Sequence, residues 1–266
     1  MFELNYSYSS INTARSALSA LPQNSHKTIG SHPTITRFMK GVYELRTPMP
    51  KYKQIWDVAI VLRYFQTLEV NSQLNLDTLA KKLCTLLLLV SAQRLQTIHL
   101  IRVNCITFFE NRCEITIIDK IKTSKPGSKN VVLKMELFED EKLCALSTLK
   151  EYLKRTSKIR LSTDQLFLTL IKPYGPASRD TLSHWVKSIL VKAGINQFGS
   201  HSCRAAASSA MLDAGVSLDE IMNSAGWQNA NTFNKFYNRS QTVRDNRKDV
   251  KVENNCSILK YFKKVV

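Results

Sequence analysis

Residues 103–135 read VNCITFFENRCEITIIDKIKTSKPGSKNVVLKM. Three runs within this stretch (103–109, 113–119 and 131–135) are rich in β-branched and aromatic residues, and each reads as a short strand. Asn111-Arg112 supplies a tight turn between the first two. The connection 120–130 is longer and basic, and it carries Pro126-Gly127. On either side the pattern becomes helical. Upstream, Ile55, Val58, Val61, Leu62, Phe65 and Leu68 recur at helical spacing, and Asp77 is expected to cap a helix whose leucines run into Gln93-Arg94. Downstream, 142–155 is amphipathic on Leu143, Leu146, Leu149 and Leu153. A helix over 178–193 has Ser178 as N-cap and Gly194 just past its end. A helix over 202–214 stops at Gly215. Ser217 and Glu220 form a capping box for the next short helix, and 231–239 reads as a last one. The expected fold class is therefore mainly α (α+β): helices with a small three-stranded antiparallel sheet inserted.

The N-terminal stretch is helical as well. Ser9-Ser10 is expected to cap a helix through Ile11, Ala14, Leu18 and Leu21, and a second helix fits 33–45. Pro48 and Pro50 cannot sit inside a helix, so 46–54 reads as a linker. No internal repeat is visible.

Composition sets the partner class. Lys and Arg number 38 against 21 Asp and Glu, a net charge of +17, with 44% hydrophobic residues. An ordinary globular core with this excess of positive charge points to a polyanion, most often nucleic acid, with an anionic membrane surface as the competing reading. The longest apolar run, LCTLLLLVSA at 83–92, has ten residues. A bilayer span needs about 20, so this run reads as a buried helix and no membrane partner is expected. The N-terminus lacks the blocks of a signal peptide. The six cysteines form no CxxC pair and have no zinc-type spacing with the five histidines. Free thiols in a reducing, intracellular compartment fit best, with no metal.

Several short motifs carry chemistry, each beside a plainer reading. His201 and Arg204, at i and i+3, share a helix face, and a helix start with His and Arg can hold a phosphate; alone, the pair is a surface His and Arg. Arg94 follows ten apolar residues. It either snorkels to solvent or grips an anion at the helix end. The loop Lys120-Ile121-Lys122-Thr123-Ser124-Lys125-Pro126 is a solvated hairpin or one that reaches a DNA groove. Trp227 after Gly226 reads as core, and Tyr237 as half-buried surface.

The order and spacing of these motifs are more specific than any one of them. Arg94, a hairpin lysine, His201-x-x-Arg204, Gly226-Trp227 and Tyr237 together resemble the tyrosine recombinase (integrase) family over roughly 55–240. The wording Gln93-Arg94-Leu95-Gln96-Thr97, Lys122-Thr123-Ser124-Lys125-Pro126-Gly127, Phe198-Gly199-Ser200-His201-Ser202-Cys203-Arg204-Ala205-Ala206 and Thr232-Phe233-Asn234-Lys235-Phe236-Tyr237 looks most like enzymes of DIRS-like and Ngaro-like retrotransposons, with Crypton-type elements close by.

The resemblance implies a transposable-element recombinase that cuts and rejoins double-stranded DNA through a 3′-phosphotyrosyl intermediate, with no metal, cofactor or small-molecule substrate. Tyr237 would be the nucleophile. Arg94 and Arg204 would hold the non-bridging oxygens, a task for which the planar guanidinium suits better than an ammonium. Lys122 would protonate the 5′-oxygen leaving group, with Lys125 as the alternative. His201 would assist proton transfer. Trp227 would donate to a phosphate oxygen and buttress the site. Lys120, Lys125 and Lys129 would contact DNA. Members act as homo-oligomers, a tetramer in the synaptic complex, and the nucleus is the expected location.

The same resemblance divides the chain into a remnant of the N-terminal helical (SAM-like) core-binding domain at 1–45, the linker 46–54, the catalytic domain 55–240 and a basic tail 241–266. The tail turns apolar at Ile258, Leu259, Tyr261 and Phe262, as an end that docks into a neighbouring protomer would. Three positions depart from the family pattern. Thr97 stands where many members have an acid. The Trp227-to-Tyr237 interval is one residue longer than is common in bacterial members, leaving Phe236 at the shorter position. The core-binding part is short, which implies a weaker hold on DNA. The alternative reading is a truncated or domesticated DNA-binding protein without strand transfer.

Overall fold

The computed structural model describes residues 1–21, 29–49, 52, 54–122, 124, 127, 130–160 and 162–227. The chain divides into two compact units, Met1–Lys53 and Gln54–Val266. The first contains helices α1 (Tyr8–Ser19) and α2 (Pro33–Leu45) around a small core of Ile11, Met39 and Val42. Ser7, rather than Ser9 or Ser10, caps α1: it holds extended backbone angles and accepts from the Ser10 amide. α2 has the bounds expected from sequence, with Pro33 in its first turn, where its missing N–H costs nothing. Arg46 closes this unit by donating to the Phe2 and Tyr6 carbonyls and lying over the Phe2 ring.

In the second unit, α3 (Val58–Thr67) is capped by Asp57, and α4 (Leu76–Ser91) carries the leucine run. Asn75 takes the cap that the sequence assigned to Asp77; Asp77 instead lies in the first turn and pairs with Lys81 at 2.7 Å. Nearly every residue from Leu79 to Leu89 is buried. Such a helix is apolar all round because neighbours cover all its faces; α6 (Ala145–Thr156), α7 (Arg179–Lys192) and α8 (Ser202–Asp213) pack against it. No helix among the described residues is long and apolar enough to cross a membrane.

The sheet consists of β1 (Ile106–Phe108), β2 (Arg112–Ile117) and β3 (Val131–Glu136), in that order and antiparallel. Ile106 faces Ile115, and Ile117 faces Val131. The alternation expected of a half-buried sheet is present: Cys113, Ile115, Ile117, Leu133 and Met135 point into the core, with polar residues between them. Residues 103–105 form a 3₁₀ turn rather than the start of β1. The mainly helical architecture with one small three-stranded sheet is as the sequence indicated. The helix expected over 231–239 and the tail lie outside the described residues. The five described cysteines are free thiols.

Candidate active site

Four separated segments of the second unit line one cavity of about 430 Å³. Arg94, Lys122, His201 and Arg204 all reach it, together with Gln93, Gln96, Arg179, Asp180, Ser183 and Ser200. The sequence motifs therefore meet in space, although 110 residues separate Arg94 from Arg204.

The loop between α4 and α5 (Leu95–His99) sets Arg94. α4 ends at Ser91, and Ala92 turns left-handed, with φ of 49°. Arg94 then stands as the N-cap residue of α5 with extended angles and no side-chain capping bond. It is thus the head of a new short helix, not the tail of the leucine helix as the sequence reading had it. Its side chain is half-buried at the cavity wall.

His201 is the N-cap residue of α8 and is exposed, while Arg204, one turn on, is buried. The N-terminus of this twelve-residue helix therefore opens on the cavity, and the positive end of its dipole favours an anion there, although its first two amides, Ser202 and Cys203, already donate to the Gly199 and Ser200 carbonyls. Trp56 anchors that end: its Nε1 donates to Ser202 Oγ at 2.7 Å, and Ser202 Oγ donates to the Gly199 carbonyl at 2.7 Å. Arg204 Nη1 donates to the Ala92 carbonyl at 2.9 Å, tying α8 to the loop that carries Arg94. The strip of small residues after Arg204, Ala205 to Ala210, is buried, and this lets α8 lie close to α4.

Trp227 stands behind this arrangement. The short helix α9 (Leu218–Ala225) is capped by Ser217, whose hydroxyl accepts from the Glu220 amide. It ends with the Trp227 amide bonded to the Met222 carbonyl and the Gly226 amide to the Asn223 carbonyl. This is a Schellman ending, and Gly226 occupies its left-handed position, with φ of 69°. The chain is thereby turned so that the Trp227 ring lies 4.1 Å from the Arg204 guanidinium carbon, a cation–π contact. Trp227 is buried and is not part of the cavity wall.

Lys122 enters from the β2–β3 connection. It is exposed and follows Ile121 in a turn closed by two bonds: the Ser124 amide to the Ile121 carbonyl at 2.9 Å, and the Ile121 amide to Ser124 Oγ at 3.0 Å. Lys120 is exposed outside the cavity. Lys125, Lys129 and Tyr237 lie outside the described residues. Among the described residues no group of His, Cys, Asp or Glu is placed to hold a metal ion.

Sequence reasoning missed Gln93, Trp56 and Arg179. Gln93 is buried; it donates from Nε2 to the Ser224 carbonyl at 2.6 Å, and Thr97 Oγ1 donates to its Oε1 at 3.3 Å. Thr97, at the position where an acid was the common expectation, thus orients a glutamine that ties the Arg94 loop to the end of α9. Arg179, in the first turn of α7, had one available signal: it follows the Ser178 cap and so had to project near a helix start.

The phage integrase family matches residues 61–244, more than two thirds of the chain. No curated protein sequence matches the chain. Among solved structures, XerA recombinase superposes with a TM-score of 0.54 at 14% identity, covering 90% of this chain and 80% of its own. XerH site-specific recombinase in a post-cleavage complex with palindromic difH substrate gives 0.55 at 16%, covering 84% and 60%. The Tn1549 transposon integrase in complex with transposon right end DNA gives 0.55 at 16%, covering 89% and 77%. The chain spans 60% to 80% of the length of these solved chains. At these identities the likeness is one of fold, while the family match rests on the sequence itself, and the chain belongs to the phage integrase family.

Proposed function

We propose that this chain cuts and rejoins double-stranded DNA as a tyrosine recombinase, with Arg94, Lys122, His201 and Arg204 acting on one phosphodiester. The observation that carries this is the convergence of those four side chains on one cavity at the N-terminus of α8. Arg94 and Arg204 bind the non-bridging oxygens and stabilise the charge of the pentacoordinate transition state. Tyr237, ten residues beyond Trp227, attacks phosphorus. The P–O5′ bond breaks, the 5′-oxygen takes a proton from Lys122, and the phenolic proton passes to His201. A phenol has a reference pKa of about 10, so the surrounding cations also assist by favouring the phenolate. Rejoining reverses these steps. The phosphodiester bond energy is kept in the phosphotyrosyl link.

The finer assignments belong to the same proposal. The local wording around Arg94, Lys122, His201 and Tyr237 supports a transposable-element recombinase of the DIRS-like, Ngaro-like or Crypton type. A net charge of +17 supports a DNA partner. Residues 1–45 would serve as the core-binding part, a tetramer as the synaptic assembly, and the nucleus as the location, the last supported by basic clusters such as 244–251.

The test is to incubate the protein with supercoiled plasmid in EDTA and resolve covalent protein–DNA adducts on denaturing gels. An adduct that vanishes with Tyr237→Phe supports the mechanism and the nucleophile together. Retained DNA binding with no adduct overturns it in favour of a protein that holds DNA without strand transfer.

A further inference from the structure

The root of the connection that carries Lys122 is held by a cluster of charges outside the cavity. Asp119 lies two residues past the end of β2. It receives Nε of Arg102 on Oδ2 at 2.8 Å and Nη2 on Oδ1 at 3.0 Å. Such a two-pronged pair fixes orientation as well as distance. The remaining arm of the same guanidinium, Nη1, donates to Asp164 Oδ2 at 3.1 Å. Arg102 is itself fixed along its backbone: it bridges to Gln165, and the next amide, Val103, donates to the Asp164 carbonyl at 2.7 Å.

Asp119 is the only acidic residue between Glu114 and Glu136, in a stretch containing Lys120, Lys122, Lys125 and Lys129. Past it, Ile121 packs against the core and Ser124 closes the turn that contains Lys122. Three residues separate Asp119 from Lys122, a reach of about 10 Å at most. Movement at Asp119 is therefore passed to the lysine. Neither Arg102, Asp119 nor Asp164 lines the cavity, so none has a direct part in the chemistry.

We propose that the Arg102–Asp119–Asp164 cluster is a positioning device: it fixes the root of the β2–β3 connection so that Lys122 meets the 5′-oxygen as that oxygen leaves. This rests on the assignment of Lys122 as proton donor, and two measurements separate the two ideas. The first is independent of the chemistry. Trypsin cuts after Lys120, Lys122 and Lys129 but not at Lys125, which precedes Pro126, and the initial rates at these three bonds in the folded protein report the freedom of the connection. Asp119→Ala raises them up to about fivefold, the factor a partly exposed pair supports, and leaves distant sites unchanged. Asp119→Asn, which keeps the shape, gives a smaller rise. Unchanged rates at 120–129 overturn the proposal.

The second uses a duplex bearing the sequence where plasmid adducts map, with either an ordinary ester or a 5′-bridging sulfur at the scissile phosphate. A thiolate leaves without a proton. Asp119→Ala slows adduct formation on the oxygen ester by a similar factor and leaves the sulfur ester at the wild-type rate; Asp119→Glu restores part of the loss. An equal loss on both esters makes the cluster a general support of the fold and overturns the proposal. If Lys122→Ala fails to distinguish the two esters, the assignment of the lysine falls, and if the wild type forms no adduct, the activity falls. In both cases the trypsin rates still decide whether the cluster holds the connection.

Discussion

Lys82 should make the stability of the second unit rise with pH between about 8 and 10.5. The lysine is fully buried on α4, where its Nζ donates to Asn71 Oδ1 at 2.8 Å. Asn71 in turn donates to the Glu141 carbonyl at 3.1 Å and accepts from Thr148. Burial lowers the pKa of Lys82 from 10.5 to about 8, against the opposing pull of Asp140 and Glu141. The folded state therefore releases its proton first. Below pH 8 the lysine is charged in both states and the burial penalty is present in full. Between the two pKa values the unfolded chain binds more protons, so stability rises, and above 10.5 the penalty is gone. A shift from 10.5 to about 8 corresponds to about 3 kcal/mol in all, of which about 2 kcal/mol is recovered by pH 9.5. The assay is urea unfolding from pH 7 to 9.5 followed by tryptophan fluorescence. Trp56, Trp185 and Trp227 all lie in the second unit, so the signal reports that unit alone. Lys82→Met fills the same space without a charge, and the stability difference between variant and wild type should shrink by about 2 kcal/mol over that range. Taking the difference cancels the ionisation of the tyrosines and the cysteine thiols. Parallel curves for the two proteins would refute the reasoning, because they would mean that the ammonium reaches water in the folded state.

Arg204→Lys keeps the charge but cannot hold both the Ala92 carbonyl and the Trp227 ring. Adduct formation on plasmid should fall about 100-fold, while filter-binding affinity for DNA changes little. Gly226→Ala forces a side chain into the left-handed position at the end of α9; it should cost about 1 kcal/mol in urea unfolding and alter the fluorescence of Trp227. Lys120→Ala removes an exposed charge next to the β2 exit, and the slope of log affinity for DNA against log salt should become shallower by about 1. Gln93→Ala leaves the half-buried Ser224 carbonyl without its 2.6 Å donor, and denaturation should show a loss of about 1 kcal/mol.

What the sequence disclosed follows from the range over which each signal acts. The sheet, the leucine helix, the Ser178 and Ser217 caps and the Gly194 and Gly215 endings depend on residues a few positions apart, so pattern alone located them. The errors at α1 and α4 are errors between near neighbours. Ser7 competes with Ser9 and Ser10, and Asn75 with Asp77, and the winner is whichever residue takes extended angles while the chain after it turns. The break after Ser91 carried no local mark, because an alanine, not a glycine, holds the left-handed turn. The contacts that fix the site are the least legible. Trp56 reaches Ser202 across 146 residues, and Gln93 reaches Ser224 across 131. Nothing in the local wording of either residue announces its partner.

That left-handed alanine bears on how the two arginines are kept in register. An L-residue in this conformation is disfavoured by about 1–2 kcal/mol, and packing against its neighbours must outweigh that cost. The turn directs the Ala92 carbonyl at Arg204 and brings Arg94, two residues later, to the cavity wall. Ser91 and Gln93 hold the same loop to α9 from either side: the Ser224 hydroxyl donates to the Ser91 carbonyl at 3.3 Å, and Gln93 donates to the Ser224 carbonyl. α9 in turn leads through Gly226 into Trp227, the residue on which Arg204 stacks. Arg94 and Arg204 are therefore not set independently by their own helices. One three-residue loop fixes the first and receives the second, and it is tied to the helix that supports the second from behind. Two guanidiniums that must grip oxygens of one phosphate are thus positioned by a closed ring of contacts, Ala92 to Arg204 to Trp227 to Ser224 to Gln93. Loosening any member of the ring should disturb both arginines at once.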